Sequence, residues 1–188
     1  MIIYWIASYL IGNLLTAWWV GKWKGVDLRN ELSGNLGARN AGAVIGKSAF
    51  LLTFLGDAGK SAFVVWLGFY FQFELWVISV AGLLVICGHL FPLWLKGRGG
   101  KGIASFIGVT LFLTPWLFLV MFIVFAVFLP IVRSATLTML FSYLAFIVAA
   151  VFWHQLEWAW PLILAIVFIL IRHQKDLRES FENRFSKA

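Results

Sequence analysis

Charge is scarce in this sequence: only 12% of its 188 residues are Asp, Glu, Lys or Arg. Soluble globular domains carry about a quarter. So few charges cannot cover a water-facing surface, which excludes the soluble classes. Acidic residues are the rarer kind, 8 against 15 Lys and Arg, giving a net charge of +7. The cations stand in short clusters between apolar runs, the positive-inside pattern of a membrane protein, so no nucleic-acid partner is expected. The single cysteine, Cys87, excludes an intrachain disulfide. The opening Met1-Ile2-Ile3-Tyr4-Trp5 lacks the basic region and small-residue cleavage site of a secretory signal. The first apolar segment therefore reads as a retained helix.

Further absences narrow the chemistry. No Cys/His or carboxylate cluster has metal-ligand spacing, so neither a metal nor another cofactor is expected. There is no Gly-x-Ser-x-Gly nucleophile elbow. The segments from Gly42 to Ser48 and from Gly56 to Ser61 imitate the end of a P-loop. Neither has four residues between its glycines, and no strand–helix alternation surrounds them. Nucleotide hydrolysis is excluded.

What is abundant is apolar. Hydrophobic residues make up 62% of the chain, with 11 Trp and 19 Phe, as suits a bilayer protein with aromatic interfaces. Apolar runs cover about 2–20, 48–72, 75–95, 103–132, 137–153 and 158–171, and a charged tail runs from Arg172 to Ala188. Thr114-Pro115 interrupts the fourth run, and proline breaks helices. A turn there returns Arg133 to the side of Lys101 and puts every Lys and Arg except Lys60 on one side. Glu74, His154 and Glu157 fall on the other. The pattern predicts one polytopic all-α membrane domain over 1–188. It has about seven short transmembrane helices, the N-terminus outside and the C-terminus cytoplasmic.

Three polar segments gather on the cytoplasmic side. In the first, Ser33-Gly34-Asn35-Leu36-Gly37-Ala38-Arg39-Asn40-Ala41-Gly42, glycines permit close backbone approach while Ser33, Asn35, Arg39 and Asn40 supply donors for an anion. The second, Arg98-Gly99-Gly100-Lys101-Gly102, opens directly into an apolar run, a phosphate-binding arrangement at a helix start. An ordinary positive-inside loop needs the charge but not the glycines. His89 precedes it in the same hairpin, as an interior or a reacting histidine. In the third, Arg172-His173-Gln174-Lys175-Asp176, His173 and Asp176 share a face of a continuing helix and read as a proton-accepting or substrate-orienting pair. Asp57 and Lys60, on one helix face at membrane depth, read as a buried supporting ion pair.

Together these residues resemble the bacterial membrane glycerol-3-phosphate acyltransferases that use acyl phosphate. The resemblance spans about Tyr9 to Arg178. It rests on Ser33-Gly34-Asn35-x-Gly37-Ala38-x-Asn40, Gly88-His89-x-Phe91-Pro92, Gly99-Gly100-Lys101-Gly102, Asp57-x-x-Lys60 and His173. It implies acyl transfer to the 1-hydroxyl of glycerol 3-phosphate, giving lysophosphatidic acid and phosphate, in a bacterial cell membrane with the site facing the cytoplasm and no cofactor. By position, Ser33, Lys101 and His173 would be catalytic. Asn35, Gly37, Arg39, Asn40, His89, Arg98, Gly99, Gly100, Gly102, Thr136 and Asp176 would line the substrates, with membrane lipids as the other partners. This chain departs from the family pattern at Ala43, where an arginine is usual, and at Asp176, where an asparagine is. Those departures leave a related acyltransferase with another polar or lipid acceptor as the second reading. A non-catalytic anion or lipid transporter ranks last, since no internal repeat is visible.

Overall fold

The computed structural model describes residues 1–185, without the side chains of Asn183 and Phe185. The end of the charged tail, residues 186–188, and the apolar side chain of Phe185 lie outside the described residues. The described elements are all helical: α1 (Ile2–Gly12), α2 (Thr16–Trp23), α3 (Ala38–Val44), α4 (Lys47–Tyr70), α5 (Leu75–Leu90), α6 (Ile103–Leu113), α7 (Pro115–Val132), α8 (Ala135–Phe152), α9 (Leu156–Arg172) and α10 (Gln174–Phe185). Five stretches are long and apolar enough to cross a membrane, and the bent pair α9–α10 would make a sixth.

Helix α5 is the centre of the bundle, buried on several sides from Val77 to Leu90 and packed against α1, α4, α6 and α9. The main core joins Val64, Ile78, Ile86, Phe106, Phe146 and Ile166. In contrast, α7 buries only Leu117 and Met121 and turns Phe122, Ile123, Val127 and Ile131 outward, as a lipid-facing helix should. Exposed tryptophans fall at two levels. Trp19, Trp23 and Trp94 lie at the loop end, and Trp66, Trp76, Trp116, Trp153 and Trp160 at or within about a turn of the far end, matching two interfacial belts.

Small residues set the helix spacing. A Cβ at Gly88 of α5 would stand 2.1 Å from Tyr9 O of α1, and one at Gly108 of α6 would stand 2.1 Å from Ala58 O of α4. Close backbone approach of this kind is how membrane helices gain packing without a hydrophobic driving force. Gly108→Ala is therefore expected to destabilise the fold by about 1–3 kcal/mol, the usual cost of overpacking, and to lower the unfolding temperature in detergent.

The turn expected at Thr114-Pro115 is present: Thr114 leaves the helical region (φ −135°, ψ 60°) between α6 and α7. A continuous helix over 103–132 would set its ends roughly 45 Å apart. Instead α10 touches both. Its Asp176 pairs with Lys101 just before α6, and its Arg184 guanidinium donates to Val132 O at the end of α7. Those two α10 positions are about 12 Å apart along a helix, so α6 and α7 go out and come back.

The first apolar run differs from a simple span. It breaks at Asn13–Leu15 between α1 and α2. Asn13 Oδ1 accepts from Leu93 N–H (2.7 Å), its carbonyl accepts from Trp94 Nε1–H (3.0 Å), and Lys60 Nζ donates to Gly12 O and Leu14 O (3.1 and 2.5 Å). These partners satisfy the backbone groups that the break releases inside the bundle.

Candidate active site

The Ser33 segment is held by a small separate core of Leu15, Val20, Leu28, Leu36, Ala41 and Leu95. Asp27 caps the 3-10 turn Leu28–Asn30, and its hydrogen bonds from Arg29 hold the Asp27 carboxyl down at about 2. Asn40, in α3, is buried. Its amide nitrogen donates to Leu28 O and Glu31 O (3.0 and 3.2 Å), and its oxygen accepts from Ser33 N–H and Oγ–H (3.3 and 3.0 Å). In this state Asn40 spends its hydrogen bonds on shaping the loop. Asn35 lies against Gly37, where a Cβ would stand 2.7 Å from its Nδ2.

The glycine loop is folded back onto the end of α5. Gly99 N–H donates to Leu90 O (3.2 Å) and Gly100 N–H to His89 O (3.0 Å). Two of the loop's backbone donors are thus already used, whereas its glycines read from sequence as a set of free ones. The N–H groups of Lys101 and Gly102 have no backbone partner among the described residues, and α6 starts immediately after them. Any anion held by this loop meets those donors at a helix N-terminus.

Gly100 is where the segments meet. A Cβ there would stand 2.0 Å from His89 Nε2 and 2.8 Å from Leu36 O. The first segment therefore abuts the second at Leu36–Gly100, three residues from Ser33. The third segment closes on the second through two contacts. Lys101 Nζ pairs with Asp176, and Arg172 Nη2 donates to Gly99 O (3.2 Å). Arg172 also lies 5.7 Å from the Phe91 ring centre, and its buried Nε has no partner among the described residues. Sequence reasoning gave Arg172 no role of its own. A cation in the last turn of an apolar helix, one residue before His173, was the available signal.

His173 is buried, and its Nδ1 lies 2.8 Å from Ile169 O. A carbonyl only accepts, so Nδ1 carries a proton there. In the neutral ring that leaves Nε2 as the acceptor. The helix does not continue straight to Asp176 as expected. Helix α10 bends 60° from α9 at this point, which takes Asp176 to Lys101. Thr136 sits half-buried in the first turn of α8, and Arg39 and Arg98 are exposed. None of these three bonds to the other predicted site residues. Asp57 and Lys60 form the expected buried ion pair, Nζ to Oδ1 2.9 Å. Among the described residues no cluster of His, Cys, Asp or Glu is placed to hold a metal ion.

Two concavities have other linings. One, about 280 Å³, lies among Trp18, Lys22, Asp27, Arg29 and Leu36. The other, about 420 Å³, is an apolar groove along Gly59, Ala62, Phe63, Trp66 and Phe112.

Residues 2–183 match the glycerol-3-phosphate acyltransferase family. The chain belongs to it. "Glycerol-3-phosphate acyltransferase 1" of Bacillus cereus (strain ATCC 10987) is 47% identical over 135 residues, 71% of this chain and 74% of the relative. The protein of the same name in Desulfitobacterium hafniense (strain Y51) is 37% identical over 176 residues, covering 93% and 87%. Among solved structures, the glycerol 3-phosphate form of PlsY (YgiH), an integral membrane glycerol 3-phosphate acyltransferase, superposes with a TM-score of 0.86 at 26% identity, covering 97% of this chain and 92% of that one. The resemblance read from the motifs thus holds over nearly the whole chain. Membership in a family of acyltransferases leaves the transporter reading without support.

Proposed function

We propose that this protein transfers a fatty acyl group from acyl phosphate to the 1-hydroxyl of glycerol 3-phosphate, releasing lysophosphatidic acid and inorganic phosphate. The observation that carries the reading is the Lys101 corner. Lys101 brings an ammonium to a helix start, its own N–H and that of Gly102 have no backbone partner among the described residues, and Arg172, next to His173 in the chain, ties the loop at Gly99 O. In this reading the corner grips phosphoryl oxygens, with Ser33 adding a hydroxyl from the neighbouring segment. The substrate hydroxyl oxygen attacks the acyl carbon, and the carbon–oxygen bond to phosphate breaks. His173 Nε2 accepts the hydroxyl proton and returns it to the departing phosphate. Fixed donors aimed at developing oxyanion charge are the largest single contribution in such chemistry.

The bundle crosses a bacterial cell membrane seven times in this reading, counting the broken α1–α2 once and α4 to α9 singly. Helix α6, with 11 residues, reaches only about 17 Å and crosses the roughly 30 Å hydrocarbon layer in part. The cation-rich loop end faces the cytoplasm and the end with Glu74, His154 and Glu157 faces outside. The acyl tail lies along the bundle, gaining about 0.8 kcal/mol per buried CH₂.

One observation favours a second reading. Asp176 already occupies Lys101, so a less anionic or larger acceptor would compete with it differently. Asp176→Asn is expected to lower the KM for glycerol 3-phosphate roughly threefold to fivefold, the equivalent of ~1 kcal/mol for a part-exposed pair. The test is acyl transfer by purified protein in detergent, with acyl phosphate and a panel of acceptors. Lysophosphatidic acid from glycerol 3-phosphate supports the first reading. Turnover only with another acceptor supports the second.

A further inference from the structure

The buried cluster around Lys60 contains more than an ion pair. Lys60 Nζ lies 3.0 Å from His89 Nδ1, as well as 2.9 Å from Asp57 Oδ1, 2.5 Å from Leu14 O and 3.1 Å from Gly12 O. Asp57 Oδ1 also accepts from Thr16 Oγ–H (3.1 Å) and lies 3.5 Å from His89 Nδ1. We propose that Asp57 and Lys60 are positioning residues: through Nδ1 they fix His89 in the tautomer whose Nε2–H faces the phosphate corner at Gly100.

An ammonium has three donors and no acceptor. With three oxygens around it, one of them a carboxylate's at 2.9 Å, Lys60 stays charged, and a second donor cannot face it at 3.0 Å. The nearer contact decides the tautomer: Nδ1 turns its lone pair to the ammonium at 3.0 Å rather than a proton to Asp57 Oδ1 at 3.5 Å, so the proton sits on Nε2. That nitrogen points at Gly100, whose missing side chain leaves it room. Gly100 N–H is bonded to His89 O, which ties the loop to the His89 backbone. Gly100 directly precedes Lys101 and Gly102, whose N–H groups have no backbone partner among the described residues, so the Nε2–H is one more donor at that corner for a phosphoryl oxygen. The same Lys60 ammonium seals the α1–α2 break, which ties the tautomer to the bundle's packing. The inference rests on the acyl-transfer reading for what the donor serves, but not for the proton's place.

The test is nitrogen NMR of protein with isotope-labelled histidine, the three histidines being assigned by difference with His89→Gln. Wild-type His89 should show a protonated Nε2 and a bare Nδ1. In Lys60→Met the ring is expected to turn its proton to Nδ1 and donate to Asp57, whereas Lys60→Arg should keep the wild-type pattern. In acyl-transfer assays, His89→Gln carries an amide N–H near the Nε2 position and His89→Asn carries one near Nδ1. The KM of the Asn variant should exceed that of the Gln variant by about tenfold or more, as for one hydrogen bond to a charged group. A proton on Nδ1 in the wild type would overturn the proposal even if the variants fail to fold. So would an unchanged tautomer in folded Lys60→Met, or an Asn variant no worse than Gln. Absence of turnover with glycerol 3-phosphate alongside the expected tautomer would instead count against the acyl-transfer reading alone.

Discussion

Lys101→Ala is expected to reduce kcat/KM for glycerol 3-phosphate by about a hundredfold to a thousandfold, the cost typical of removing one preorganised oxyanion donor. The loss is twofold in origin. The ammonium disappears, and the Asp176 carboxylate that it neutralises is left facing the phosphate. The double variant Lys101→Ala/Asp176→Asn should therefore recover part of the loss, because the repulsion goes while the missing donor stays missing. Lys101→Arg should not restore full activity, since a planar fork replaces a point charge. Steady-state kinetics in detergent reads all three. A double variant no better than Lys101→Ala would mean that Asp176 does not face the bound phosphate.

Gly100→Ala carries the second large effect, for a steric reason. The added methyl would meet His89 Nε2 at 2.0 Å and Leu36 O at 2.8 Å, both too close to exist without movement. His89 is held on its far side by Lys60, and Leu36 belongs to the small core, so neither can yield freely. The loop must shift, taking Lys101 with it. A displacement of about 1 Å at a positioned group is worth on the order of a hundredfold in rate, so activity should fall by about that factor. Global stability should fall less than for Gly108→Ala, because the loop is at the edge of the bundle. Comparing turnover with unfolding temperature for the two variants separates geometry at the site from packing of the fold.

Much of this architecture could be read from residue order. The runs that became α4, α5, α8 and α9 are long and apolar, and Thr114-Pro115 breaks the chain where proline chemistry says it should. The break at Asn13 was not legible. One asparagine in an apolar run says little, and its partners Lys60, Leu93 and Trp94 lie far along the chain. The same holds for the site. Asp57 and Lys60 share a face at i,i+3 and could be paired by eye, but their joint hold on His89 needed the packing of α4 against α5. The glycine loop announced its flexibility, not that Gly99 and Gly100 would spend their N–H groups on Leu90 O and His89 O respectively. His173 and Asp176 read as neighbours on one helix face. The 60° bend instead delivers Asp176 to Lys101, a result set by how α10 lies across the ends of α6 and α7.

A structure of this protein with glycerol 3-phosphate bound would locate the phosphate and so decide whether the Lys101 corner holds it. Phosphate oxygens are expected within hydrogen-bond distance of Lys101 Nζ and of the Lys101 and Gly102 N–H groups, with Asp176 withdrawn from the ammonium. Phosphate bound instead in the cleft of Trp18, Lys22 and Arg29, with Lys101 still paired to Asp176, would contradict that placement.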